Sequence, residues 1–220
     1  IAAHDESIFR STFSGSSWST TTLTWTSATN YREGQANSRC SFIGPNFNNL
    51  ATTPDGTKWI AGVRDEVCVY TSDDSGATWY GKAVGSTNFG SAISADGAIK
   101  MTANSDGKLY RYSGSTWSAI VSTNSSLPSS TGWGNVVCDS TCTKMAAIQN
   151  ATGKIYITAD SGATWYNGDS TSRTYTDLSM SSDGASIAAT SGTDVYISEN
   201  SGLNWSAQAL AGGKTWASVT

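Results

Sequence analysis

Tyr70-Thr-Ser-Asp-Asp-Ser-Gly-Ala-Thr-Trp79 returns almost unchanged as Tyr156-Ile-Thr-Ala-Asp-Ser-Gly-Ala-Thr-Trp165. Both stretches carry Ser/Thr-x-Asp-x-Gly-x-Thr-Trp, and that chemistry is the chemistry of a turn. A carboxylate can accept from nearby backbone N–H groups, Gly takes a positive φ, and Ser/Thr hydroxyls close the remaining bonds. The Trp then plugs the start of the next strand. Asp74, Gly76 and Trp79, with Asp160, Gly162 and Trp165, therefore read as structural turn residues. An acidic site facing solvent is the rarer alternative.

The motif recurs in weaker form. Ser198-Glu-Asn-Ser-Gly-Leu-Asn-Trp205 keeps the spacing, with Asn200 in the Asp place and Gly202 and Trp205 behind it. Ser11–Trp18 reads as a degenerate copy with Phe13 in the Asp place, and Ser113–Trp117 as a shortened one. Ahead of each copy lies a short strand such as Val67–Tyr70 or Lys154–Tyr156. Before that comes a small apolar strand, as in Trp59–Val63, Lys100–Ala103, Met145–Ile148 and Ile187–Thr190. An Asp-Gly turn precedes it at Asp55, Asp96 and Asp183, a strong hairpin signal between alternating runs. A further strand is opened by Phe47, Phe89, Trp133, Tyr175 and Trp216, which lie 41 to 44 residues apart.

Four strands per unit of this length, with no helical period, predict an all-β fold. The expectation is one five-bladed β-propeller of four-stranded antiparallel blades. Its blades cover about 216–220 plus 1–28, 47–86, 89–122, 133–170 and 175–210. The chain ends in a first strand and begins in a second, so a C-terminal first strand joining the N-terminal strands would close the ring and remove exposed edges. Ile1 in place of Met is consistent with a processed chain or with a segment of a longer one.

Composition bounds the function. A net charge of −4, with no cluster of Lys or Arg, argues against a nucleic-acid partner. No apolar run approaches a bilayer span. Four Cys in a Ser/Thr-rich chain suggest disulfides and a secreted, extracellular protein. Cys138 and Cys142 bracket a turn and pair naturally, which leaves Cys40 for Cys68; a metal site is disfavoured because His4 is the single His. Asn124, Asn150 and Asn204 head glycosylation triplets, so in a eukaryote the chain would be a glycoprotein.

In a four-stranded meander the first and third turns share one rim. The second turns and the links share the other, and there Asp65, Glu66, Asp106 and Asp194 meet the strand-opening aromatics. Acids beside rings suit sugar recognition, so Phe47, Phe89, Trp133, Tyr175, Trp216 and these acids form the candidate ligand set. The competing reading is that the aromatics fill gaps between blades and the acids are solvated. Two places after each aromatic come Asn49, Ser91, Asn135, Asp177 and Ser218, which predict a polar, water-holding channel. A catalytic triad finds no support, and neither does a phosphate-binding glycine loop; no cofactor is implied.

The strict motif resembles the Asp-box, or BNR repeat, and through its degenerate copies the resemblance covers nearly the whole chain. It implies a propeller far better than a function, since Asp-box propellers include sialidases, sortilin-type receptors, xyloglucanases and photosystem II assembly factors. Sialidases begin with Arg-Ile-Pro, whereas Phe9-Arg10 here is followed by Ser-Thr. Sialidase activity is therefore not expected. The size is similar to five-bladed lectins of the tachylectin type, in architecture only. The expected function is a non-enzymatic, lectin-like binding or adhesion module. Its partners would be glycans or an extracellular protein, with carbohydrate binding at the rim opposite the motifs. Alternatives are a structural subunit of a filament or matrix, and a small glycoside hydrolase using acids such as Asp5, Asp65 or Glu66.

Overall fold

Alternating apolar and polar residues between glycine turns give 21 short strands among the described residues. The computed structural model describes the backbone of Ala2–His4, Ser7–Ser14 and Ser17–Leu23. It also describes Cys40 and residues 47–220 apart from 65, 125–126, 129–130, 151, 170 and 209–214. Strands β1 (Ala2–His4), β2 (Ser7–Ser14) and β3 (Ser17–Leu23) form a first, three-stranded sheet. The second sheet runs β4 (Phe47–Thr52), β5 (Trp59–Val63), β6 (Cys68–Ser72), β7 (Tyr80–Ala83). The third runs β8 (Asn88–Ile93), β9 (Ile99–Asn104), β10 (Leu109–Ser113), β11 (Trp117–Ala119).

The fourth sheet is β12 (Trp133–Cys138), β13 (Met145–Gln149), β15 (Ile155–Thr158), β16 (Tyr166–Asn167). Between its strands, β14 (Thr152–Gly153) leaves to pair with β17 (Arg173–Thr174) in the following link. The fifth is β18 (Asp177–Met180), β19 (Ile187–Ser191), β20 (Asp194–Ser198), β21 (Ser206–Gln208). All pairings among the described residues are antiparallel, and the five larger sheets are meanders. The leading strands follow one another in contact, β1 on β4, β4 on β8, β8 on β12 and β12 on β18.

The rims separate as the meander dictates. Ser75, Ser161 and Ser201 of the third turns donate backbone N–H groups to Thr57, Thr143 and Ala185 of the first turns. On the other rim, second turns bond to links: Ser105 N–H donates to Thr87 O at 2.9 Å, and Ser191 Oγ to Thr174 O at 2.9 Å. Both disulfides form as expected, Cys40–Cys68 and Cys138–Cys142.

Cores lie between sheets. Met101 and Leu109 of the third sheet meet Trp133, Met145, Tyr156 and Trp165 of the fourth. Ile148 and Ile157 of the fourth meet Tyr175, Leu178 and Ile187 of the fifth. Each buried side chain of this size contributes about 1.5–3 kcal/mol. The seam between second and third sheets is thinner, with Ile60, Val69 and Val84 as its buried apolar residues.

Ladder register corrects three expectations. Ser11–Trp18 is a plain hairpin in which Ser14 faces Ser17, whereas Ser113–Trp117 is the shortened loop expected, with Tyr112 facing Trp117. Neither forms the eight-residue turn of the true motif. A one-residue irregularity follows the opening residue of β4, β8 and β12, so the counterpart of Phe47 and Trp133 is Asn88, not Phe89. For the same reason Gly90, not Ser91, matches Asn49, Asn135 and Asp177.

Candidate functional site

The motif turns are fully employed in holding themselves. Ser72 Oγ donates to Asp74 Oδ1 at 2.8 Å and accepts from Gly76 N–H at 2.9 Å, while Asp74 also accepts from the Thr78 N–H and hydroxyl. Thr158, Asp160, Gly162 and Thr164 repeat this pattern bond for bond. Trp79, Trp165 and Trp205 each return the indole N–H to the motif glycine's carbonyl. Ser75, Ser161 and Ser201 take φ near +60° directly before glycines at +81° to +90°. Hydrogen bonds from Thr164 hold Asp160 down at about 2. For Asp74 burial pulls upward, yet bonds from Thr78 and Ser72 outweigh it and the carboxyl is lowered.

The opposite rim is occupied from within the fold. Phe47, Trp133 and Tyr175 are buried and meet Tyr70, Tyr156 and Tyr196 edge-on at centroid distances of 5.3 to 6.2 Å. Phe89 is half-buried, and Trp216 is exposed. The acids face tyrosines of their own sheets: Tyr70 Oη donates to Glu66, Tyr110 to Asp106 at 2.8 Å, and Tyr196 to Asp194. Burial and the Asp106 bond push the Tyr110 phenol up to about 12. Asp5, Glu6 and Asp65 lie outside the described residues. Among those described, no three His, Cys, Asp or Glu side chains come together as a metal would require.

Along the channel, Asn135 Nδ2 donates to Asp177 Oδ1 at 2.6 Å. The other oxygen of Asp177 accepts from Ser218 Oγ at 2.7 Å and from the Val219 N–H at 3.0 Å. Asp177 therefore tethers the 215–220 segment. Asn150 and Asn204 are exposed, while the Asn124 amide donates to Trp165 O at 2.6 Å and serves the fold.

The face that the third sheet turns toward the second departs from its counterparts in the second, fourth and fifth sheets. Register places Lys100 where the neighbours carry Trp59, Met145 and Ile187. Thr102 replaces Ala61, Ala147 and Ala189, and Asn88 replaces Phe47 and Trp133. Tyr112 stands in the place of the motif hydroxyls of Ser72, Thr158 and Ser198. The asparagines make a polar seam: Asn88 Nδ2 donates to Cys68 O at 3.0 Å, and Asn104 Nδ2 to Val84 O at 2.7 Å.

Beside this seam a cleft of about 620 Å³ opens on the motif rim. One wall is β7 with Tyr80 and Lys82, and the other carries Lys100, Tyr112 and Trp117. The third sheet's turn from Tyr112 to Trp117 is two residues shorter than the motif turn Ser72–Trp79, which leaves the space unfilled. Tyr80 is 46% exposed, and the Tyr112 and Trp117 rings lie 5.6 Å apart at 47°. Lys100 Nζ sits 5.4 Å from the Tyr112 centroid, donates to Gly97 O at 3.1 Å, and reaches Asp73 at 3.5 Å. Sequence reasoning missed this site although its signal was legible. Lys100 takes the place in its strand that sister repeats give to Trp, Met or Ile, in the one full repeat whose motif is shortened.

No family model matches the chain, and no curated protein does either. Solved structures do. YCF48 bound to a D1 peptide is 18% identical at a TM-score of 0.56, over 75% of this chain and 55% of that one. The β-propeller domain of Cps50 (Swd1) from Myceliophteria thermophila is 10% identical at 0.55, over 76% and 56%. The GH74 enzyme of Niastella koreensis is 16% identical at 0.53, over 73% and 24%. The chain thus spans little more than half the length of the first two. At these identities the likeness establishes the fold alone, and that fold is a β-propeller.

Proposed function

We propose that this chain is a secreted, non-enzymatic carbohydrate-binding module, whose sugar site is the cleft between the second and third blades. The observation that carries this reading is the rebuilt face of the third blade. Apolar packing is given up there, and Tyr80, Tyr112 and Trp117 line an open cleft. Rings that stack on the apolar face of a sugar, ringed by hydroxyls and charges that take its hydroxyl groups, are what such a ligand needs. On the rim opposite the motifs, favoured by sequence, Phe47, Trp133 and Tyr175 are buried in packing. Two disulfides suit an oxidising compartment.

Catalysis is the weaker reading although a neighbouring propeller is a GH74 enzyme. Asp73 is the single carboxylate in the cleft lining among the described residues. Hydrolysis by paired acids requires two, roughly 5 to 10 Å apart. A glycan array followed by titration of Trp fluorescence tests the binding. We expect saturable quenching, weakened at least tenfold by Trp117→Ala with the fold intact. A folded protein that binds no saccharide would remove the proposal.

The ring itself is proposed to close with five blades, the segment 216–220 serving as the inner strand beside β1. Its support is the repeat of one contact, since Ser218 meets Asp177 as Asp177 meets Asn135. Cysteine pairs stepped along 216–220 and Ala2–His4 test the closure. Failure of every pair to cross-link within a monomer would exclude it.

A further inference from the structure

Resting on the carbohydrate reading, we infer that the cleft selects an acidic saccharide, whose carboxylate or sulfate group takes the place on Lys100 that Asp73 now holds loosely.

The argument begins with what Lys100 costs. Its side chain is 6% exposed at a position where sister blades bury Trp, Met or Ile, so the ammonium has lost most of its water. An ammonium carries three donors. One reaches Gly97 O at 3.1 Å, and a second reaches Asp73 at 3.5 Å, well beyond the 2.7–2.9 Å of a strong charge-assisted pair. The third has no oxygen partner among the described residues. A buried cation so incompletely answered gains most from an anion that approaches closely.

Asp73 is placed to yield. Its side chain is 61% exposed, and the motif turn is built on Asp74, not on Asp73. The corresponding residue in the fourth blade is Ala159, in a turn of the same hydrogen bonding. Lys82 stands on the facing wall. The aromatic rings would hold the sugar ring while Lys100 reads its acid. Charge complementarity thus names the ligand class, and stacking names the saccharide.

The test compares an oligogalacturonate, a sulfated galactan oligosaccharide that contains no uronic acid, and a neutral chito-oligosaccharide by calorimetry at low and moderate salt. We expect at least tenfold preference for one of the acidic probes, falling with salt. Which acidic probe wins distinguishes carboxylate from sulfate. Asp73→Ala should raise the acidic-to-neutral affinity ratio three- to tenfold, and Lys100→Met should erase the preference, with near-UV circular dichroism confirming the fold. Lys100→Gln serves should the Met variant misfold. Equal affinity for neutral and acidic probes, or weaker acidic binding in Asp73→Ala, would overturn the inference and leave the carbohydrate reading standing. Absence of binding by all three would remove both. Poly-glutamate that binds as tightly, with the same response to Asp73→Ala, would reassign the cleft to acidic protein segments.

Discussion

Lys100 stands in its sheet where Trp59 stands in the sheet before it: each lies on a second strand, opposite Ile93 and Thr52 respectively. Strand alternation turns both side chains onto the face packed against the preceding sheet. The lysines that lie one place earlier, Lys58 and Lys144, fall on the other face. They reach across to the next first turn, donating to Asp96 O at 2.7 Å and Asp183 O at 2.9 Å.

Lys100→Met restores the residue type of position 145 and should stabilise the fold. Exchanging a buried charge for a well-packed apolar group typically gains about 1–4 kcal/mol. Urea unfolding followed by Trp fluorescence should show a higher midpoint at unchanged slope. A lower midpoint would mean that the bonds to Gly97 and Asp73 hold the seam, and that Lys100 is a structural residue.

Acid should loosen the motif turns before the cores. Asp160 is lowered to about 2 by bonds from Thr164, and Asp74 is lowered as well. A depressed carboxyl contributes stability that is complete above its unfolded value, near 4, and is lost as pH falls toward 2. Wild-type unfolding midpoints should therefore decline between pH 4 and 2. Asp160→Asn, which copies Asn200, should flatten that decline at the cost of a lower midpoint at neutral pH. An unchanged acid profile would show that the Thr164 bonds give Asp160 no preference for its ionised form.

Gly90→Ala should destabilise more than Gly114→Ala. An added Cβ at Gly90 would lie 2.4 Å from Asn135 Oδ1 and 2.6 Å from Asn135 Cα, in the channel where third and fourth blades meet. Overpacking of this kind costs about 1–3 kcal/mol or more. At Gly114 nothing lies within 4 Å and only the φ of +86° resists, worth about 1–2 kcal/mol. Thermal melts of the two variants would give the order, and the reverse order would place the inner strands farther apart than described.

The two disulfides should contribute unequally. Loop entropy assigns about 3.5 kcal/mol to Cys40–Cys68, across a separation of 28 residues, and about 2 kcal/mol to Cys138–Cys142, across 4. Double Ala variants compared by calorimetry should show the larger loss at Cys40 and Cys68. A larger loss at Cys138 and Cys142 would mean that the first turn of the fourth blade depends on its bridge for more than loop closure.

Much of the fold was legible because its signals are local. The side-chain bonds that shape each motif turn run between residues of the motif itself, and the Asp-Gly turns read as hairpins wherever they occur. Register was harder. Asn88-Phe89 offers an aromatic near the expected spacing, but the irregularity that follows Phe47 and Trp133 in their ladders follows Asn88 here, so Phe89 stands one residue late and the buried position falls to the Asn. That slip hid the polar face, since Phe89 made the third blade look like the others.

By itself the sequence determined the repeat, the all-β class, the four-stranded unit and both cysteine pairs, because turn chemistry and strand period act over a few residues. Only the tertiary structure decided which rings are buried and which line a cleft. A ring at the edge of a strand is packed or open according to the neighbouring sheet, and the shorter loop at Ser113–Thr116 matters only because β7 faces it across a seam. Burial is a relation between blades, and no single repeat contains it.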